Sequence, residues 1–166
     1  MPANNHMNSQ LKALAQLCVA NNIRVATAES CTGGMVSAAI TDLAGSSQWF
    51  DAGFVTYSNE AKMAMLGVQQ ASLIEHGAVS ESVVREMALG AVNNSEAQFA
   101  VSISGIAGPG GGTKDKPVGT VCFAVADAHN SQAETSVFTG DRAAVRLAAC
   151  ERALTLLLGV IEQKQR

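Results

Sequence analysis

The sequence predicts a single three-layer α/β/α domain with a mixed sheet. Three observations carry that expectation. Helical and strand-like segments alternate through the early part of the chain, the pattern of strands joined by helical crossovers. Two strand-like runs, 118–126 and 133–139, follow one another across the polar stretch Asp127–Ser131, as in an antiparallel hairpin. Hydrophobic residues make up 48% of the 166 residues but aromatics only 4%, which suits close helix-on-sheet packing better than an aromatic-rich sandwich.

In chain order, residues 1–7 carry no pattern and are expected as a loose tail, leaving the domain over 8–163. Residues 8–21 place Leu11, Leu14, Ala15 and Cys18 at helical spacing, and Asn21-Asn22 ends the run. The β-branched stretch 23–28 reads as a strand. ESCTGG follows, and then MVSAAITDLAG reads as a helix ended near Gly45. Residues 48–56 read as a strand. Ser58 is a predicted N-cap for NEAKMAML, which ends at Gly67, and Ser80 is another for a helix running to about Val92. Residues 97–104 form a buried strand that runs into GIAGPGGG. Asp141 caps a final helix whose apolar stripe is expected at Val145, Ala149, Ala153, Leu156 and Val160.

The bulk properties exclude several functions. Eleven Lys and Arg against fourteen Asp and Glu give a net charge of −3, so there is no basic footprint for nucleic acid. No apolar run approaches the roughly 18 residues of a membrane span. MPANNHMNSQ has neither a charged nor an apolar signal region, so a cytoplasmic protein is expected. Cys18, Cys31, Cys122 and Cys150 form no CxxC pair and read as buried free thiols of a reducing compartment. His6, His76 and His129 are scattered, so no metal site and no cofactor are expected.

Four segments could carry chemistry. Glu29-Ser30-Cys31-Thr32-Gly33-Gly34 lies where a strand gives way to a helix, which aims free backbone N–H groups beyond the sheet edge. An anion or a developing oxyanion suits the backbone of Thr32, Gly33 and Gly34; an ordinary capped turn would also account for the segment. Thr56-Tyr57-Ser58-Asn59-Glu60-Ala61-Lys62 puts a lysine near a helix N-terminus, the unfavourable end for a cation. A lysine base benefits from that, since its ordinary pKa of about 10.4 must fall to about 7–8. Such a fall corresponds to about 4 kcal/mol, of which the dipole supplies about 0.3–1 kcal/mol, so burial must supply most. A solvated surface lysine is the simpler reading of the segment taken alone. The loop Ser104-Gly105-Ile106-Ala107-Gly108 and the glycines after it can nest a phosphate, although it lacks P-loop spacing. Arg142 and Arg146 stand four apart on one helix face and could clamp a phosphate, or could simply be solvated. The GxSxG and HExxH templates are absent. Cys31 is a second candidate nucleophile with no histidine near it in sequence; the distant His76 stays open as a partner.

Taken together, TAESCTGG, GFVTYSNEAKMAMLGV, HGAVSE, SISGIAGPGGG, KPVGTV and GDRAAVR resemble the CinA C-terminal family, over about residues 8–160. Its members include nicotinamide-nucleotide amidohydrolases. The resemblance implies hydrolysis of the carboxamide of nicotinamide mononucleotide, with Ser30 as nucleophile, Lys62 as its general base and Tyr57 lining the site and assisting proton transfer. It implies a substrate subsite formed from Cys31, Thr32, Gly33, Gly34, the 104–108 loop and Arg142/Arg146, though the ligand contacts of the loop and the arginines are less specific. Longer relatives add an N-terminal domain for which 166 residues leave no room, so the stand-alone form is expected. The expected partner is the small-molecule substrate, with no nucleic acid and no membrane; a homodimer is allowed. A non-catalytic regulatory nucleotide-binding module and an amidase of another small amide are the competing readings.

Overall fold

The computed structural model describes residues 2–166, with side chains from Asn5 onward. Its sheet has the order β2-β1-β3-β4-β5. The strands are β1 (Val25–Glu29), β2 (Phe50–Val55), β3 (Phe99–Gly105), β4 (Thr120–Ala126) and β5 (Ser131–Val137). β1 runs parallel to both β2 and β3, and β3, β4 and β5 are antiparallel in turn, so the sheet is mixed as the sequence predicts.

The two sheet faces differ in texture. Val25, Val101, Ile103, Val121, Phe123 and Val125 pack with α1 (Pro2–Ala20), α2 (Met35–Thr41) and α6 (Arg142–Lys164). Ala26, Ala28, Ala100, Cys122, Ala124 and Ala126 meet α5 (Glu81–Asn93), together with residues around α3 (Asn59–Leu66) and α4 (Gln70–His76). Strand alternation sends bulky residues to one layer and small ones to the other. Gly90 lets α5 close on the end of α3, since a Cβ there would lie 2.0 Å from the Leu66 carbonyl oxygen.

The three predicted caps form: Ser58, Ser80 and Asp141 accept from the N–H of Ala61, Val83 and Ala144. Other expectations need correction. The stretch expected as a loose tail over 1–7 is helical from Pro2, and Met7 packs against the core. α2 stops at Thr41, and a short 3₁₀ turn, Ser46–Gln48, fills the space before β2. α4 escapes prediction because none of its seven residues is buried, so it carries no apolar stripe. β5 begins two residues early, because Asp127 Oδ1 accepts from the N–H of both His129 and Asn130 and tightens the turn. On α6 the buried stripe continues through Leu157 and Ile161, while Leu156 and Val160 are only partly buried at its edge.

β1 reaches β2 through α2 on one face, and β2 reaches β3 through helices on the other. The strand order therefore reverses at β1, and the carboxyl ends of β1 and β3 open on a crevice, the usual ligand position in such sheets.

Candidate active site

A cavity of about 300 Å³ occupies that crevice. Ser30, one residue past β1, lies on its wall; its N–H donates to Ile103 O at 2.9 Å, which fixes it against the end of β3. Lys62 reaches the same point from α3. It is 1% exposed, and its Nζ lies 2.9 Å from Ser30 Oγ, 2.9 Å from Thr56 O and 3.2 Å from Tyr57 O. None of the ion pairs among the described residues includes Lys62. Burial without a carboxylate partner pulls its pKa below the ordinary lysine value of 10.5, and the neighbouring Cys31 only partly opposes this.

The three neighbours of Lys62 can serve the neutral amine as well as the charged one. Its two N–H groups can go to the Thr56 and Tyr57 carbonyls, leaving the lone pair for the Ser30 hydroxyl proton. When Nζ is charged it can donate to all three, and the Ser30 hydroxyl can turn to Tyr57 O, 3.4 Å away. The pair can therefore pass a proton between oxygen and nitrogen, and this serine is equipped to act as a nucleophile.

Cys31 also touches the cavity, but burial pushes its thiol up to about 11, with Arg146 and Lys62 opposing weakly. His76 is no partner for it, because its ring lies 3.7 Å from Glu75 in a separate groove. Tyr57 is 62% exposed at the rim, where its hydroxyl accepts from Arg142 Nη2 at 3.1 Å; Arg142 Nη1 donates to Gly108 O at 2.8 Å. Ser104, Gly105, Ile106, Ala107 and Gly108 form the far wall, as expected. Bonds from Ile106 N–H to Thr120 O and from Gly119 N–H to Ile106 O hold that wall to β4.

Four expected ligand residues lie off the cavity wall. Thr32 is fully buried and donates its hydroxyl to Glu29 Oε1 at 2.7 Å. Gly33 N–H is spent on Ser30 O, and Gly34, at φ 104°, is the N-cap of α2. Arg146 is not part of the cavity lining and donates to Cys31 O and Thr32 O, at 3.0 and 3.2 Å. The positive end of α2 is also taken. The buried Glu29 carboxylate accepts from the N–H of Val36 and Ser37 and from the hydroxyls of Thr32 and Ser37. Glu29 thus takes up the start of α2 through Val36 and Ser37, not through the Thr32–Gly34 backbone the sequence offered to an anion.

Sequence reasoning missed Asn59, Ala78 and Val79, which also line the cavity. Ala78 and Val79 follow a helix the sequence did not signal, but they stand inside the quoted HGAVSE segment and could have been drawn from it. Asn59 stands inside the quoted YSNEAK segment and could have been drawn from it. Among the described residues no three His, Cys, Asp or Glu side chains gather as a metal site, and no helix is long and apolar enough to cross a membrane.

Comparison with known proteins identifies the family. The chain is 57% identical over 145 residues to nicotinamide-nucleotide amidohydrolase PncC of Escherichia coli K12, covering 87% of this chain and 88% of that one. A CinA-like protein of Syntrophomonas wolfei is 48% identical over 151 residues, but there the match spans 90% of this chain and only 36% of the relative. Among solved structures, the competence/damage inducible protein CihA of Agrobacterium tumefaciens superposes with a TM-score of 0.91 at 41% identity, covering 93% and 95% of the two chains. A CinA superfamily protein of Escherichia coli gives 0.89 at 38%, covering 93% and 90%. The model of the CinA C-terminal domain matches residues 7–161, and the chain belongs to that family.

Proposed function

We propose that this chain hydrolyses the carboxamide of nicotinamide mononucleotide to nicotinate mononucleotide and ammonia, through an acyl-enzyme on Ser30. The observation that carries the reading is the 2.9 Å contact between the Nζ of a buried, carboxylate-free Lys62 and Ser30 Oγ. The substrate comes from the relatives: the protein 57% identical to this chain bears that activity in its name.

Neutral Lys62 takes the Ser30 proton as Oγ adds to the carboxamide carbon. The oxyanion needs backbone N–H donors at the cavity wall. Protonated Lys62 then gives its proton to the departing nitrogen, and ammonia leaves. A water deprotonated by the same amine adds to the acyl carbon, and Ser30 departs with the product carboxylate formed. Tyr57 and Arg142 rim the entrance, where Arg142 and the glycine-rich loop suit the 5′-phosphate. These steps draw on no metal or organic cofactor. The reading places the protein in the salvage of pyridine nucleotides inside the cell. A regulatory binding module would have no use for a buried lysine held against a serine.

Ammonia release from nicotinamide mononucleotide and from free nicotinamide, with Ser30→Ala as control, tests this. Turnover of the nucleotide far above the base, lost about a thousandfold in the variant, is expected. No release from the nucleotide, equal kcat/KM on both amides, or an active Ser30→Ala protein would sink it.

A further inference from the structure

Two of the sequence motifs, HGAVSE and KPVGTV, hold none of the reacting groups. The structure joins them: Lys116 Nζ donates to His76 O at 2.8 Å. Each end of that contact supports a different wall of the cavity. His76 ends α4, and the next residues, Gly77 to Val79, lead directly to the wall residues Ala78 and Val79. The segment is short and tied at its far end, where Ser80 Oγ donates to Gly77 O at 2.8 Å. Gly77 sits at φ 76°, and Lys116 Nζ lies 3.7 Å from where a Cβ would stand, so the lysine approaches over bare backbone.

On the other side, Lys116 belongs to the returning arm of the glycine-rich loop. Its own backbone is fixed by a turn, with Thr113 N–H on Lys116 O at 2.8 Å and Lys116 N–H on Thr113 Oγ1 at 3.0 Å. Two residues on, Val118 packs against the outgoing arm. A Cβ on Gly108 would stand 2.5 Å from Val118 Cγ1, and one on Gly112 2.7 Å from Val118 N. The arms are in direct contact, so a shift at Lys116 reaches the wall formed by Gly105 to Gly111. Beyond Val79 lies an outer groove that contains Lys116, and Val79 lines both spaces, so this wall is one residue thick. Val79 leans on the alanine-lined core at one side, and Lys116 ties the chain just before it.

We propose that Lys116 is a positioning residue that staples the 77–79 wall to the 105–111 wall, and thereby sets the width of the cavity and its grip on the substrate. It touches neither Ser30 nor Lys62, so the proton transfer between them does not depend on it. Removing the staple loosens both walls together.

The test uses Lys116→Met, which keeps the stem but not the donor, and Lys116→Arg, which keeps a donor. With nicotinamide mononucleotide, an arm that rests on the function proposed above, Lys116→Met is expected to raise KM about fivefold and leave kcat within about twofold. Lys116→Arg is expected to recover most of the loss. Independently of any substrate, amide hydrogen exchange is expected to quicken at both 77–79 and 105–111 in Lys116→Met and to return toward wild type in Lys116→Arg. Unchanged exchange at both walls overturns the proposal, as does quickening confined to one of them. A fall in kcat with KM unchanged also overturns it. If wild-type protein releases no ammonia from the nucleotide, the functional reading fails, and the exchange experiment still decides the staple.

Discussion

Lys62 Nζ lies 2.9 Å from Ser30 Oγ, and neither side chain is paired with a carboxylate. The absence of a carboxylate is what makes the contact chemical. An acid beside Lys62 would hold the amine charged and leave it without a lone pair. Here the partners are two backbone carbonyls, which accept N–H equally from the neutral and the charged amine.

Lys62→Arg is expected to lower kcat/KM almost as far as Lys62→Ala, by about a hundredfold to ten-thousandfold. Arginine keeps a charge and donors but cannot shed a proton near neutral pH. In the wild type, kcat/KM is expected to rise with pH through an apparent pKa below 10.5, because burial lowers that of Lys62. The rising limb should vanish in the arginine variant. Near-normal kcat with an unchanged profile, measured by ammonia release across pH, would assign the proton to another group.

The same burial acts on stability. The folded protein holds the Lys62 proton less tightly than the unfolded chain, so between the lowered folded value and 10.5 the unfolded state binds more protons. The resulting penalty is absent above pH 10.5 and grows as pH falls toward the folded value. Thermal melts of Lys62→Met and wild type should therefore shift in favour of the variant as pH is lowered from 10.5 toward neutrality. A Tm difference independent of pH would show that Lys62 titrates alike in both states.

Arg142 and Arg146 stand on one helix face, and the sequence offers them as a pair. The structure separates them, since Arg142 lines the cavity rim while Arg146 holds the carbonyls of Cys31 and Thr32. Arg142→Ala is expected to raise KM for the phosphorylated substrate by about tenfold, as loss of a charged contact does. Arg146→Ala is expected to lower kcat and Tm instead, because two carbonyls of the nucleophile turn lose their donor. Steady-state kinetics with melting curves distinguish the two; matching KM effects would restore the paired clamp.

Glu29→Ala is expected to destabilise the fold by roughly 2–3 kcal/mol in urea denaturation. It strips acceptors from two helix N–H groups and two hydroxyls that lie largely out of water. Glu29→Gln, which keeps one carbonyl acceptor, should fall between. A variant as stable as wild type would mean that water replaces the carboxylate.

What the sequence disclosed depended on how local each feature is. Ser58, Ser80 and Asp141 announce their helices because capping needs one side chain and three residues of chain. Lys62 was readable as misplaced for a cation, yet only the fold could bury it. Glu29 stood in plain view beside Ser30, but a strand-end carboxylate reaching across the turn to the start of the next helix cannot be read from spacing, so the turn passed for an open anion site. The Ala78–Val79 wall showed only as part of the HGAVSE motif, and its place at the cavity was hidden because it depends on α4, which has no buried face to betray it.

The alanine-lined face of the sheet has a consequence at a distance. α5 rests on Ala26, Ala28, Ala100, Ala124 and Ala126, and its first turn follows directly from Val79. Those alanines act as shims: their thickness sets how far α5 stands from the sheet, and hence where the residues just before it lie. A single added methyl group beneath α5 has nowhere to go in so close a layer. It would be taken up by lifting the helix, and the lift would be felt at the mouth where substrate enters. Tuning of this enzyme's grip can therefore arise in its core, at residues no ligand ever meets.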